Sequence, residues 1–102
     1  MTEIMEVAKY IRKEIKRADD YAYEANKHKM EFPEMAQYYY KAAQEHLTIS
    51  DTLHAGALKL IENAKRSGAI PTDAMKRVWE FEHEMMMDEK AIVLRKLDMF
   101  KS

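Results

Sequence analysis

The stretch KRSGAIPTDAM, residues 65–75, decides how this chain folds. Its two opening cations suit the last turn of a helix, where positive charge interacts favourably with the free carbonyl groups. Gly68 suits the position just after a helix end, because glycine adopts a left-handed backbone at little steric cost. Thr72 or Asp73 suits the start of the next helix, because either side chain can accept a hydrogen bond from its first turn. The stretch therefore predicts a tight reversal between two helices.

A second break lies at Pro33. Proline is tolerated in the first turn of a helix, and its ring disfavours helical geometry at the preceding Phe32. The chain otherwise contains only one more proline and two glycines, and few clusters that favour strands, so it is predicted to be almost entirely helical. The predicted helices cover residues of about 3–30, 33–66 and 73–100.

Both predicted connections are short, so neighbouring helices should pack antiparallel. The sequence thus predicts an all-α fold, a three-helix up-down-up antiparallel bundle that forms a single helical domain over residues 1–102. Three long helices do not enclose a symmetric four-helix core, and we expect a second subunit to complete it.

Composition excludes several function classes. Lys and Arg number 17 against 18 Asp and Glu, so the chain lacks the strong positive field of a nucleic-acid binder. The absence of cysteine removes disulfides, thiolate zinc sites and cysteine nucleophiles. No apolar run approaches the roughly 20 residues of a membrane span, and the N-terminus does not resemble a signal peptide. The predicted protein is cytoplasmic and binds neither nucleic acid nor membrane.

The third helix contains VWEFEHEMMMDEKAIVL, residues 78–94, in which acids interrupt an apolar run. On a helical wheel, Glu82 and Glu89 fall near the centre of the apolar arc and lie on one line of the helix. The remaining members of the arc are Met75, Val78, Phe81, Met85, Met86, Ile92, Val93, Met99 and Phe100. Further apolar residues lie outside it, so the third helix is predicted to have a second contact surface, which forms a homodimer or a higher homo-oligomer.

The second helix has a wide apolar arc, which predicts that it is the central member of the bundle. His46 and His54 lie inside this arc. Inward carboxylates and imidazoles on facing helices can bind metal ions, but they can equally form structural ion pairs and hydrogen bonds. A buried unpaired carboxylate costs several kcal/mol, so Glu82 and Glu89 need a partner under either interpretation.

Residues 14–27, EIKRADDYAYEANK, and residues 38–61, YYYKAAQEHLTISDTLHAGALKLI, resemble the first helical hairpin of ferritin-like proteins, rubrerythrins in particular. The resemblance implies that Glu14 occupies the position of the carboxylate ligand on the first helix. The family's second helix supplies a Glu-x-x-His pair, and here those positions hold His46 and Ile49. The ligand set is therefore degenerate, and the short connection to the third helix also departs from the family's long crossing.

Two hypotheses about function follow. The first is a ferritin-like helical module that acts by oligomerisation or partner binding, without catalysis and without a cofactor, its inward charges being structural. The alternative is a metal-binding protein or weak oxidoreductase that holds iron, manganese or zinc in a rearranged core site. The candidate metal ligands are Glu14, His46, His54, Glu82 and Glu89.

Overall fold

The fold consists of three helices and contains no strand within residues 2–102, the part of the chain that the computed structural model describes. Helix α1 covers Thr2–His28, α2 covers Pro33–Arg66 and α3 covers Asp73–Lys101. The all-α class is confirmed, and the predicted helix bounds agree with these to within two residues. No helix in this range combines the length and the apolar character that are needed to cross a membrane.

The helix ends have the local chemistry that the sequence predicts. Pro33 opens α2, and Phe32 before it has φ −132° and ψ 66°, outside the helical region. Gly68 has a φ of 85°, a left-handed conformation that glycine adopts readily. The Thr72 side chain accepts a hydrogen bond from the backbone N–H of Met75 at 3.1 Å, which caps α3. These residues mark where α2 begins and ends and where α3 begins.

The core lies along one face of α1. Its buried residues become small in the second half of the helix, where Ala18, Ala22 and Ala25 are fully buried. Small side chains allow close backbone approach, and α1 packs closely against both α2 and α3, whereas α2 and α3 approach each other less closely. The prediction that the second helix is central is therefore corrected, because the alanines make α1 the helix that both others can approach.

Cross-helix contacts connect all three elements. The side-chain amide of Asn26 donates to the backbone oxygen of Lys96 at 2.9 Å, and the Lys96 ammonium donates to Asp19 at 2.6 Å. Between α2 and α3, the rings of Tyr40 and Phe100 stack with their centroids 4.7 Å apart. Each helix is thus held by polar and aromatic contacts as well as by the apolar core.

The orientation of α3 differs from the prediction. The residues of α3 that are buried are Met86, Val93, Leu97 and Phe100. By contrast Phe81, Ile92 and Met99, placed in the predicted inward arc, are exposed. A helix that is apolar around most of its circumference has no unique inward direction on a wheel. In the structure Glu82 and Glu89 contact Arg12 of α1, and part of the predicted arc faces solvent.

Candidate functional site

The five predicted metal ligands make their contacts in three places, of which the second and third adjoin one small cavity. Glu14 contacts His46, Glu82 and Glu89 both contact an arginine, and His54 lies near another histidine. Among residues 2–102, no group of three or more His, Asp or Glu side chains is arranged to hold a metal ion. The convergence of at least four ligands, which the metal hypothesis requires, is therefore not found in this part of the chain.

The first place lies between α1 and α2. His46 Nδ1 and Glu14 Oε2 are 2.5 Å apart, and Arg17 donates to the other carboxylate oxygen at 2.9 Å. The Glu14 side chain is only 13% exposed. Tyr21 stacks on the His46 ring with centroids 5.3 Å apart. The carboxylate thus has hydrogen-bond partners on both oxygens, and the imidazole is held flat against an aromatic ring.

The second place lies between α1 and α3, where Arg12 binds both inward acids. It donates to Glu89 Oε1 through Nη2 at 2.6 Å and through Nε at 3.1 Å, and its Nη1 lies 3.7 Å from Glu82 Oε2. The hydrogen bond with Glu89 raises the pKa of Arg12. The partner that the two acids need is therefore a guanidinium, as the structural interpretation of these residues requires.

Arg12 lines a groove of about 530 Å³ between α1 and α3. Three lysines of α1 that line it, Lys9, Lys13 and Lys16, are exposed and are called here the lysine edge. Ile92 of α3 lies on the opposite wall. The groove thus has a cationic margin on α1, while Glu82, Glu89 and Ile92 line it from α3.

The third place lies between α2 and α3, where the rings of His54 and His83 are 5.4 Å apart and tilted by 38°. Burial lowers the pKa of His54, and the neighbouring His83 and Lys90 lower it further, while Asp51 opposes them. A small cavity of about 80 Å³ adjoins the pair, and Trp79 is among its lining residues. His83 was not predicted as a site residue.

Two of the contact partners found here were missed by sequence reasoning, and one of them left a signal. His83 ends the acid-x-x-His run EFEH, residues 80–83, and lies one position after an inward acid. Arg12 left no such signal, because long arginine side chains reach inward from positions beside an apolar stripe. Arg12 lies beside the apolar stripe of α1, yet its guanidinium reaches both acids. That stripe consists of Ile4, Val7, Ile11, Ile15, Ala18, Ala22 and Ala25.

Comparisons of the chain with protein-family models, with curated proteins and with solved structures find no match.

Proposed function

We propose that this protein is an oligomerising helical module, which acts by assembly rather than catalysis and associates with a second copy through α3. The observation that carries the proposal is an exposed apolar row on that helix. Phe81 is 58% exposed and Met99 is 62% exposed. The row, called here the α3 stripe, consists of the exposed residues Val78, Phe81, Ile92 and Met99 and the half-buried Met85.

The α3 stripe is long enough to serve as a helix-packing surface. Its members recur at spacings of three, four and seven residues, so they fall on one side of the helix. At a rise of about 1.5 Å per residue, the stripe extends for roughly 32 Å. A contiguous apolar surface bordered by charged residues is typical of an interaction site, whereas single exposed apolar residues are ordinary.

The charges beside the stripe favour a second copy of the chain as the occupant. The lysine edge borders the groove on the α1 side, and Glu84 and Asp88 are exposed on the far side of α3. Within the described residues neither of these two acids forms an ion pair. An apolar row with cations on one side and acids on the other is complementary to itself under a twofold axis along the helices.

The helix directions fit this arrangement. We take the bundle to run up-down-up, and the contacts of Arg12 with Glu89 and of Asp19 with Lys96 support it, since both join α1 to α3 at a separation of 77 residues. By the same offset, the lysine edge lies near the level of Asp88. In a dimer of this symmetry, the acids of one copy therefore come close to the lysine edge of the other.

Paired substitutions on the surface test the proposal. Phe81→Lys places a charge in the α3 stripe, whereas Tyr38→Lys changes a residue that is 66% exposed on α2 and lies outside it. We expect light scattering after size exclusion to show association for the wild type and for Tyr38→Lys. Phe81→Lys should be monomeric with an unchanged circular dichroism spectrum. Equal masses for all three proteins contradict an interface on α3.

The resemblance to ferritin-like proteins supports the alternative function, metal binding, through two residues. Glu14 and His46 occupy two positions at which the family has ligands, and their side chains are in contact. A metal-binding protein derived from that family should retain iron, manganese or zinc after purification without chelator and incubation with each ion. Elemental mass spectrometry of the wild type and of Glu14→Gln measures this. Equal metal content in both proteins eliminates Glu14 as a ligand.

A further inference from the structure

The pair formed by His54 and His83 lies away from the α3 stripe and has no role in the proposed assembly. His54 is half-buried on α2, and His83 is exposed on α3. An ion from solvent can therefore reach one ring directly, while packing restrains the other. Helices α2 and α3 approach each other less closely than either approaches α1. His54 and His83 nevertheless bring two imidazole rings, which can both bind a metal ion, close together across that interface.

The separation of the two rings suits a shared metal ion. Imidazole nitrogens bind zinc at about 2.0–2.1 Å, so two rings on one tetrahedral ion have centroids roughly 5 Å apart. The observed centroid distance is 5.4 Å. The rings are tilted by 38°, so they are not stacked face to face.

The surroundings favour the neutral imidazole that a metal needs. Burial and the nearby His83 and Lys90 all lower the pKa of His54, which reduces competition from protons near neutral pH. Lys90 is itself bound to Asp51 at 2.7 Å, so the cation beside the pair is partly neutralised. Glu82, which lines the adjoining cavity, is held near Arg12.

We propose that His54 and His83 together bind one divalent transition-metal ion of the kind that prefers imidazole, such as Zn²⁺ or Cu²⁺, with water in the remaining coordination positions. The bound ion connects α2 to α3 and stabilises their packing. This site differs from the predicted five-residue set, since it uses one of those residues and adds His83 from the facing helix.

Zinc titration of the untagged protein tests the proposal, with binding followed by isothermal calorimetry and by the histidine side-chain signals in NMR spectra. We expect one Zn²⁺ per chain and a selective change in the signals of the two rings. His54→Gln and His83→Gln should each weaken binding by at least about tenfold. His28→Gln is the matched control, because His28 lies at the far end of α1 beside Glu24, and it should leave the affinity unchanged.

Thermal unfolding gives a second measurement. Zn²⁺ should raise the melting temperature of the wild type and of His28→Gln, because an ion that binds only the folded state stabilises it. The same addition should not raise the melting temperature of either pair variant, and circular dichroism without metal verifies that both remain folded. Absence of zinc binding to the wild type, or equal affinity in the two pair variants and the wild type, overturns the proposal.

Discussion

Arg12 of α1 and Glu89 of α3 form a two-donor contact across the helix interface, with the guanidinium nitrogens 2.6 and 3.1 Å from one carboxylate oxygen. This contact provides the partner that the inward acids, Glu82 and Glu89, need. It binds Glu89 to a cation on α1, and Glu82 lies 3.7 Å from the same guanidinium. Helix α3 buries Met86, Val93, Leu97 and Phe100, and this orientation leaves most of the α3 stripe at the surface.

The Arg12–Glu89 pair should have a measurable coupling energy. In a double-mutant cycle with Arg12→Met and Glu89→Gln, we expect the pair to contribute about 1 kcal/mol to the free energy of unfolding. The value is modest because the Arg12 side chain is 38% exposed. Urea denaturation of the four proteins measures it. Strictly additive single effects would show that the contact does not stabilise the fold.

A second double-mutant cycle, on an exposed ion pair, gives a coupling energy with which the value for Arg12 and Glu89 can be compared. Arg66 and Glu62 approach to 2.5 Å, but both lie on the exposed surface of α2. We expect their coupling to be no more than about 0.5 kcal/mol, as for other exposed pairs one helical turn apart. A larger coupling energy for Arg66 and Glu62 than for Arg12 and Glu89 would contradict a stabilising role of the contact between α1 and α3.

Asn26 should tolerate aspartate poorly. Its amide donates hydrogen bonds to the backbone oxygens of Ala22 and Lys96 at 3.0 and 2.9 Å. Asn26→Asp replaces this donor by a carboxylate facing two carbonyl groups, and we expect a loss of about 1–3 kcal/mol. The exposed Asn63→Asp is the control and should cost less than about 0.5 kcal/mol. Equal effects in urea denaturation would contradict the bridging role of Asn26.

His54 should make stability depend on pH. Its pKa in the folded protein lies below the ordinary value of 6.5, because of burial and the nearby His83 and Lys90, with Asp51 opposing. The unfolded chain therefore binds the proton more readily, so the free energy of unfolding decreases as pH falls through 6.5 towards the folded pKa. Above that window His54 contributes no pH dependence.

His54→Gln removes this contribution. Between about pH 7.5 and pH 5.5, the variant should lose less stability than the wild type, as measured by thermal unfolding without metal. His83→Gln should show an intermediate loss, because it removes one of the causes of the lowered pKa. If His54→Gln loses as much stability as the wild type over this range, His54 is not the titrating group.

The helix ends could be predicted because they depend on local chemistry. Pro33, Gly68 and Thr72 act within one turn of their own positions, and each has the predicted role in the structure. The rotation of α3 could not be predicted in this way. Its apolar residues cover most of the helix surface, so the wheel does not show which of them are buried; in the structure these are Met86, Val93, Leu97 and Phe100.

In the candidate site, the sequence predicts which acids face another helix but does not predict their partners. The wheel indicated that Glu14, Glu82 and Glu89 lie towards the helix interfaces, and each does contact a side chain of another helix. It could not indicate which helix supplies the partner. His46 contacts Glu14 across the interface of α1 with α2, and Arg12 contacts Glu82 and Glu89 across the interface of α1 with α3. Which side chains can meet depends on how closely the helices approach at the alanines of α1.

Assembly of this chain through α3 should be visible in the molar mass of the wild-type protein in solution. The chain has a mass of 12.1 kDa. Sedimentation equilibrium over a range of micromolar concentrations should give twice that mass, with dissociation on dilution. Phe81→Lys should stay at the mass of one chain. A wild-type protein that remains at one chain mass at every concentration would contradict the claim.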